Sequence, residues 1–331
     1  MTRQRYDIFA EAIAALAADC GDPRLGVIAR RAIAPLSVCV RGRAGVGRGS
    51  VERALTAAGL SGIVPAGSPV DIDLHVVAEV VKPEDCAAVA ASTAPSIVVL
   101  NKSDLSGFGA AVVRCARVRE MTGVPVVPMA AHLAVITVDD ALLAALRTLA
   151  GRDAGVNPAD GTAADLHCVR DDDVHARLLR SLGPVGVARA LDTLRADPAA
   201  GAATLRGALR AHSGVEGVVG AVHSAAAPVV YRRLCEAAVE LEAFAATAPS
   251  AVAERVHSLL TCDDTVIARM ESALDVAKGA GLVGDTADPL CRAAQWRRLS
   301  RRADHPVYRL CGPDIVRGSL RLWRHSAEGV R

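Results

Sequence analysis

Four glycines in residues 42–50 suggest a loop that binds phosphate. Glycine allows positive φ, so successive backbone N–H groups can converge on an anion, and the amino end of a following helix adds a favourable dipole. A ligand-free glycine-rich turn is the alternative interpretation. The residues predicted to contact phosphate are Gly42, Gly45, Val46, Gly47, Arg48, Gly49 and Ser50.

The residues that follow the loop alter its predicted chemistry. The spacing from Gly42 to Gly47 fits the phosphate-loop pattern, which continues with Lys and then Ser or Thr. This chain has Arg48 and Gly49 there. Arg48 can supply a positive charge as a planar fork, but Gly49 lacks the hydroxyl that would coordinate Mg²⁺. Ser50, one residue later, is only a weak candidate for that ligand.

A second motif, Asn101-Lys-Ser-Asp104, directly follows the apolar run 97–100. A carboxylate at Asp104 can accept hydrogen bonds from both N1–H and the exocyclic amine of guanine, a donor pair that adenine does not offer. Asn101 would tie the motif to the phosphate loop, and the Lys102 stem would cover the base. The motif therefore predicts guanine recognition, with an ordinary polar turn as the alternative.

Together these motifs resemble those of P-loop GTPases of the translation-factor-related class, and more narrowly of the dynamin-like GTPases of actinobacteria. The narrower resemblance rests on a lead-in helix at 24–34 before Pro35-Leu36, on Ser213-Gly-Val followed by Tyr231-Arg-Arg, and on Trp296-Arg-Arg. It implies GTP or GDP as ligand, with Mg²⁺ as an accompanying ion. It also implies that the backbone N–H of Ala131 contacts the guanine oxygen, although plain loop chemistry explains this position equally well.

The resemblance fails where hydrolysis would be carried out. The family has a switch threonine and an Asp-x-x-Gly turn after its phosphate loop, and neither is evident here. Asp71 and Asp73 have no glycine three residues on, so we expect them to be solvated carboxylates at the start of a strand rather than distant Mg²⁺ ligands. Hydrolysis of GTP is therefore expected to be slow or absent.

The elements that must position these residues predict an α/β fold: a compact P-loop, Ras-like nucleotide domain followed by an α-helical bundle. Apolar runs indicate strands at 36–40, 73–81, 97–100 and 124–128, and helical spacing dominates the second half. The expected organisation is lead-in helices at 1–35, the nucleotide domain at 36–150, a linker at 151–161 and the helical domain at 162–331.

Composition excludes several classes of protein. Aromatic residues make up 2% of the chain and the net charge is +2, which disfavours a nucleic-acid partner. Nine cysteines without a Cys-x-x-Cys pair indicate free thiols in a reducing compartment. No apolar run is long enough to span a membrane. We therefore predict a cytoplasmic protein, with peripheral membrane association as an alternative.

The carboxyl-terminal segment Arg292–Arg331 is strongly basic, with ten Arg against three acidic residues. It could contact an anionic membrane surface or an acidic protein partner. A solvated, Arg-rich face of the bundle is the alternative. Trp296 and Trp323 are expected to anchor the bundle, and the sequence leaves the oligomeric state open.

Three functional hypotheses follow. The leading one is a guanine-nucleotide-binding protein with little or no GTP hydrolysis. The second is a pseudo-GTPase scaffold that binds a protein partner or a membrane surface through its helical domain. The third is an adenine-nucleotide kinase or transporter ATPase, which Asp104 disfavours because adenine presents the wrong donors.

Overall fold

The computed structural model describes residues 2–105, 107–151, 172–282, 286, 288–301 and 305–328. It is mostly helical, at 69%, and holds one parallel sheet of five strands. The chain divides into two compact units: Leu36–His223, and Met1–Pro35 together with Ser224–Arg331. The structure thus agrees with the expected combination of an α/β region and a helical region.

The sheet lies in the unit Leu36–His223. All pairings are parallel, and the strand order is β2-β1-β3-β4-β5. Parallel strands bring their carboxyl ends to one edge, where open α/β sheets bind ligands. The strands are β1 Val38–Arg41, β2 Ile63–Val64, β3 Ile72–Ala78, β4 Ser96–Asn101 and β5 Val126–Pro128.

The strand predicted to reach residue 81 ends earlier, at Ala78. Glu79 takes a positive φ of 56°, and the N–H of Val80 turns back to the carbonyl of Ala78 at 2.6 Å. A positive φ cannot continue a pleated strand, so β3 stops there. The chain then enters a helix with Pro83 in its first turn and Asp85 accepting from the N–H of Lys82.

Seven of the described helices lie wholly within this unit. A short 3₁₀ turn, Ser103–Leu105, follows β4 directly. The helices are α3 Arg48–Ala57, α4 Pro83–Ala90, α5 Phe108–Thr122, α6 Ala131–Ala134, α7 Asp140–Ala150, α8 Asp172–Ala196 and α9 Ala202–His212.

Helix α8 belongs to the same unit as the sheet, whereas the sequence placed its residues in the helical domain. Its apolar residues Leu178, Leu182 and Val187 share one buried core with Leu142 and Leu146 of α7. The unit therefore continues to His223. Residues 152–161 of the expected linker lie outside the described part of the chain.

The remaining helices form the other unit, apart from the first part of α10, since the division at residues 223 and 224 falls inside that helix. Helical spacing in the sequence at 215–226 and at 229–246 predicts two helices, but the structure has a single helix, α10, which runs through Pro228 without a break. The helices are α1 Thr2–Cys20, α2 Pro23–Ile33, α10 Val215–Ala245, α11 Ser250–Thr261, α12 Asp263–Gly279, α13 Pro289–Leu299 and α14 Pro306–Glu328.

The lead-in helices are part of this helical core. Phe9 and Ile13 of α1 and Leu25 of α2 are buried in one cluster with Leu241 and Phe244 of α10. Burial of large apolar side chains is the main source of stability in such a cluster. Residues 1–35 therefore pack as members of the helical unit.

The two tryptophans differ in environment. Trp296 is buried and meets Tyr308 edge to face, with ring centroids 5.7 Å apart, as expected for an anchor of the bundle. Trp323 is 45% exposed, so the expectation that it also anchors the bundle is wrong. In the helical unit α14 buries Cys311 and Ile315 but leaves its Trp323 side outward.

The described helices include none that is both long and apolar enough to cross a membrane. Eight cysteines lie in the described ranges, and all eight are free thiols. Burial raises the pKa of several of them, including Cys39 and Cys115, which keeps these thiols protonated. The described cysteines fit the expected reduced state.

Candidate functional site

The glycine loop begins where β1 ends and leads directly into α3. Gly42, Gly45 and Gly47 all have positive φ, at 146°, 84° and 89°. A Cβ at Gly42 would lie 2.5 Å from the carbonyl oxygen of Val76 on β3, so a side chain there would collide with backbone. The loop therefore requires glycine for conformation at all three positions and for space at Gly42.

Asn101 joins this loop to the segment that follows β5. Its side-chain amide donates to the carbonyl of Val46 at 2.9 Å, and its oxygen accepts from the N–H of Ala131 at 3.1 Å. The side chain is buried, and a Cβ at Gly47 would lie 2.5 Å from Asn101 Nδ2. Asn101 was predicted to tie its motif to the glycine loop, and these contacts form that connection.

The next residues hold Asp104 in a fixed turn. Ser103 donates from its backbone to Met129 at 3.0 Å and from its hydroxyl to Leu100 at 2.7 Å. Lys102 takes a positive φ of 59°, a strained value for a residue with a Cβ. Asp104 is buried, and its Oδ1 has no hydrogen-bond partner among the described residues.

His132 lies beside this carboxylate. Its Nε2 is 4.0 Å from Asp104 Oδ2 and 3.2 Å from the carbonyl oxygen of Leu182 in α8. The sequence around His132 predicts a solvated loop histidine, since no carboxylate partner is fixed by spacing. The structure instead places it in α6 beside Asp104, so this prediction is wrong. No local pattern signals the pairing, because Leu182 and Asp104 come from segments remote in the chain.

The phosphate side of the site is more open. Arg48 and Gly49 are exposed, and the hydroxyl of Ser50 accepts from Arg53 at 3.3 Å. Arg43, inside the loop, turns to Asp85 instead, with contacts of 2.8 and 3.0 Å. One of the two loop arginines is thereby committed to an internal ion pair.

The described residues give no positive indication of a Mg²⁺ site. Within those ranges there is no group of three or more His, Cys, Asp or Glu that could hold a metal ion. Ser50, the weak candidate, has its oxygen next to the guanidinium of Arg53. A nearby cation opposes binding of a second cation, so the arrangement does not fit a metal as it stands.

Asp71 and Asp73 lie at the amino end of β3, away from the edge that carries the loop. Asp73 is buried, accepts from Arg41 at 2.6 Å and from the hydroxyl of Ser92 at 2.6 Å. Asp71 accepts from Ser37. The prediction of solvated carboxylates is wrong for Asp73, which stabilises the sheet through its ion pair.

The strand order places the end of β2 beside the glycine loop, which the sequence alone did not show. Because β2 pairs with β1, its carboxyl end lies at the edge of the sheet that carries the glycine loop. That end reads Val64-Pro-Ala-Gly67, with Gly67 at a φ of 96°. The spacing is that of an Asp-x-x-Gly turn with valine in the acidic position, and valine cannot coordinate a metal ion or a water.

The backbone N–H of Ala131 is the predicted contact to the guanine oxygen, and here it donates to Asn101. That predicted contact would require the N–H to leave Asn101 or to be shared.

Comparison with protein-family models, with curated proteins and with solved structures finds no match to this chain. Its function must therefore be inferred from the site itself.

Proposed function

We propose that this protein binds guanine nucleotides, GTP or GDP, and hydrolyses GTP slowly or not at all. The phosphates would lie against residues 42–50, and the base would be read by Asn101, Lys102 and Asp104. The observation that carries the proposal is the buried Asn101 side chain, which connects the loop to β4 and to Ala131.

The unpartnered oxygen of Asp104 supports guanine as the base. A buried carboxylate oxygen without a donor is costly, and such groups in folded proteins normally have an explanation. Guanine offers two adjacent N–H donors to a carboxylate, whereas adenine offers an acceptor at the equivalent ring nitrogen. Asp104 Oδ1 therefore favours guanine over adenine.

The phosphate side supports weak or absent hydrolysis. Catalysis of phosphoryl transfer depends on positioning and on positive charge around the transferred group. Here Arg43 is paired with Asp85, Gly49 has no hydroxyl, and Val64, the last residue of β2, stands where an Asp-x-x-Gly turn would have its acid. Arg48 is the one loop cation turned to solvent within the described part of the chain.

Calorimetric titration with GTP, GDP and ATP, with and without Mg²⁺, tests the proposal. We expect selective binding of the guanine nucleotides, and a loss of about tenfold to hundredfold in affinity in Asp104→Asn, because a charged acceptor is removed. Asp140→Asn, an exposed carboxylate on α7, is the matched control. Absence of binding by all three nucleotides, or equal affinity in Asp104→Asn, would contradict the proposal.

A second candidate function, a scaffold for a protein partner or an anionic membrane surface, is favoured by the face of α14. Leu310 and Trp323 are 62% and 45% exposed there. Arg309 and Arg317 are exposed beside them and form no ion pair among the described residues. Exposed apolar side chains flanked by cations suit a peripheral binding surface.

The two tryptophans make this candidate easy to test. The tryptophan fluorescence emission spectrum can be recorded while vesicles of phosphatidylglycerol or of phosphatidylcholine are added. A blue shift with the anionic vesicles that disappears in Trp323→Phe would support membrane binding, because Trp296 is buried and should not respond. No shift with either vesicle would leave a protein partner as the occupant to be sought.

A further inference from the structure

One turn of α8 lies against the carboxylate proposed to read guanine. At Gly183 the helix departs from helical geometry, with φ 65° and ψ 171°, and Pro184 follows. A Cβ at Gly183 would lie 3.4 Å from Asp104 Oδ2 and 3.8 Å from His132 Nε2. Backbone of α8 therefore covers the Asp104 carboxylate.

This cover leaves no room for a base. Guanine must lie edge-on to a carboxylate to donate N1–H and its amine, so both oxygens must face an open space. The Asp104 side chain is 5% exposed, and Oδ1 is fully buried. Guanine can bind both oxygens only if the structure around Asp104 opens, and the turn of α8 lies against Oδ2.

We propose that the Leu182–Gly183 turn of α8 is a gate over the guanine subsite, closed in this structure and displaced when a nucleotide binds. The inference rests on the proposed function. His132 holds the gate shut, since its Nε2 lies 3.2 Å from the Leu182 carbonyl, which accepts the hydrogen bond when that nitrogen carries the proton.

The closed and open states are stabilised by opposing interactions. The closed state buries Leu182 completely but leaves Asp104 Oδ1 without a donor. The open state exposes Leu182, and guanine supplies the missing donors. A ligand shifts such an equilibrium only through contacts made in one of the two states, as here. The apparent affinity is then reduced by the fraction of closed protein.

Gly183→Ala is the variant that should loosen the gate. Alanine disfavours a positive φ, so the closed turn loses stability relative to the open one. His132→Ala is a second variant, which removes the hydrogen bond to Leu182. Gly207→Ala is the matched control, because it lies in α9 with helical φ and nothing within 4 Å of an added Cβ.

Stopped-flow mixing of the full chain with a fluorescent GDP derivative measures the association rate, which the gate should limit. We expect Gly183→Ala and His132→Ala to raise the association rate about fivefold to tenfold, the effect of one hydrogen bond or one strained residue. Gly207→Ala should bind at the wild-type rate. Increased deuterium uptake around Leu182 on addition of GDP is the expected second signature.

The outcomes separate the gate from the proposed function. If Gly183→Ala or His132→Ala binds GDP and the wild-type protein binds it poorly, the result supports both the gate and guanine binding. Equal association rates in wild type and the two variants overturn the gate and leave guanine binding intact. If neither wild type nor either variant binds GDP, the proposed function fails and the gate fails with it.

Discussion

The candidate site has two parts: the segment 101–104 with Ala131, called here the base end, and the glycine loop 42–50, called here the phosphate end. The two ends use polar groups differently. At the base end, Asn101 and Ser103 are buried, and their side-chain polar atoms are paired with backbone. At the phosphate end, Arg48 is exposed, and the side-chain partner of Ser50 within the described residues is Arg53, on its own helix. The hydrogen bonds of Asn101 join segments that are remote in the chain and make the first arrangement rigid, whereas the bond of Ser50 is local.

This difference bears on the two parts of the proposed function, recognition of the base and hydrolysis at the phosphates. Base recognition needs donors and acceptors held in fixed geometry, and buried bridges between segments provide it. Hydrolysis needs converging charge and a metal at the phosphates, and the phosphate end supplies little of either. Binding without efficient turnover is the outcome that this contrast predicts, and the following experiments are designed to test it.

The largest effect is expected from Asn101→Ala. The substitution leaves the Val46 carbonyl and the Ala131 N–H without their partner, and two buried unpaired groups cost about 2 to 4 kcal/mol. Urea unfolding measures the loss, and guanine binding should disappear with it. A stability close to wild type would show that the bridge does not hold the site together.

The second-largest effect is expected where the glycine loop meets Asn101, and two glycine-to-alanine variants test it. Gly47→Ala should destabilise by about 1 to 3 kcal/mol more than Gly45→Ala, because only the former places a Cβ against Asn101 Nδ2. Both glycines have similar positive φ, so the backbone strain cancels in the comparison. Thermal unfolding of the two variants gives the difference, and equal melting temperatures would argue against the contact.

A smaller effect concerns His75, on β3 beside the ion pair of Arg41 and Asp73. Burial lowers the pKa of His75, and its Nε2 has no hydrogen-bond partner in the described structure. The folded state therefore binds its proton less readily than the unfolded state, in which the pKa is about 6.5. Stability contributed by the neutral ring is present above that pH and is lost as the pH falls below it.

His75→Leu should accordingly flatten the decline in stability between about pH 7 and pH 5. Burial also lowers the pKa of His212, so His212→Leu is the control that removes a separate share of the same decline. Urea unfolding at several pH values measures both slopes. Parallel curves for wild type and His75→Leu would show that this ring carries no part of the acid sensitivity.

The smallest effect is expected at the phosphate end. Ser50→Ala should change stability by less than about 0.5 kcal/mol, as for a surface site with one local hydrogen bond. It should also leave the Mg²⁺ dependence of nucleotide affinity unchanged, because the Ser50 oxygen faces the guanidinium of Arg53. A loss of Mg²⁺-dependent affinity in this variant would restore Ser50 as a metal ligand and weaken the contrast between the two ends.

Several local features were predictable from the sequence because they depend on neighbours in the chain. The β-branched run before Gly42 predicted β1, and the run before Asn101 predicted β4. The start of α4 is local in the same sense, because Pro83 lies in its first turn and Asp85 accepts from the N–H of Lys82. Contacts between segments remote in sequence were not predictable in this way. The exposure of Trp323, the pairing of His132 and the burial of Asp73 each depend on which helix or strand packs against the residue.

The sequence by itself determined the glycine loop, the Asn-Lys-x-Asp motif and the alternation of elements, since periodicity and turn chemistry are local properties. Only the tertiary structure decided that Asn101 bridges two segments and that β2, which ends at Val64, lies beside the strand that leads into the glycine loop. It also decided that Gly183 lies over Asp104. The physical reason is that strand order and helix packing bring together residues that are distant along the chain, and single-sequence patterns do not encode those pairings.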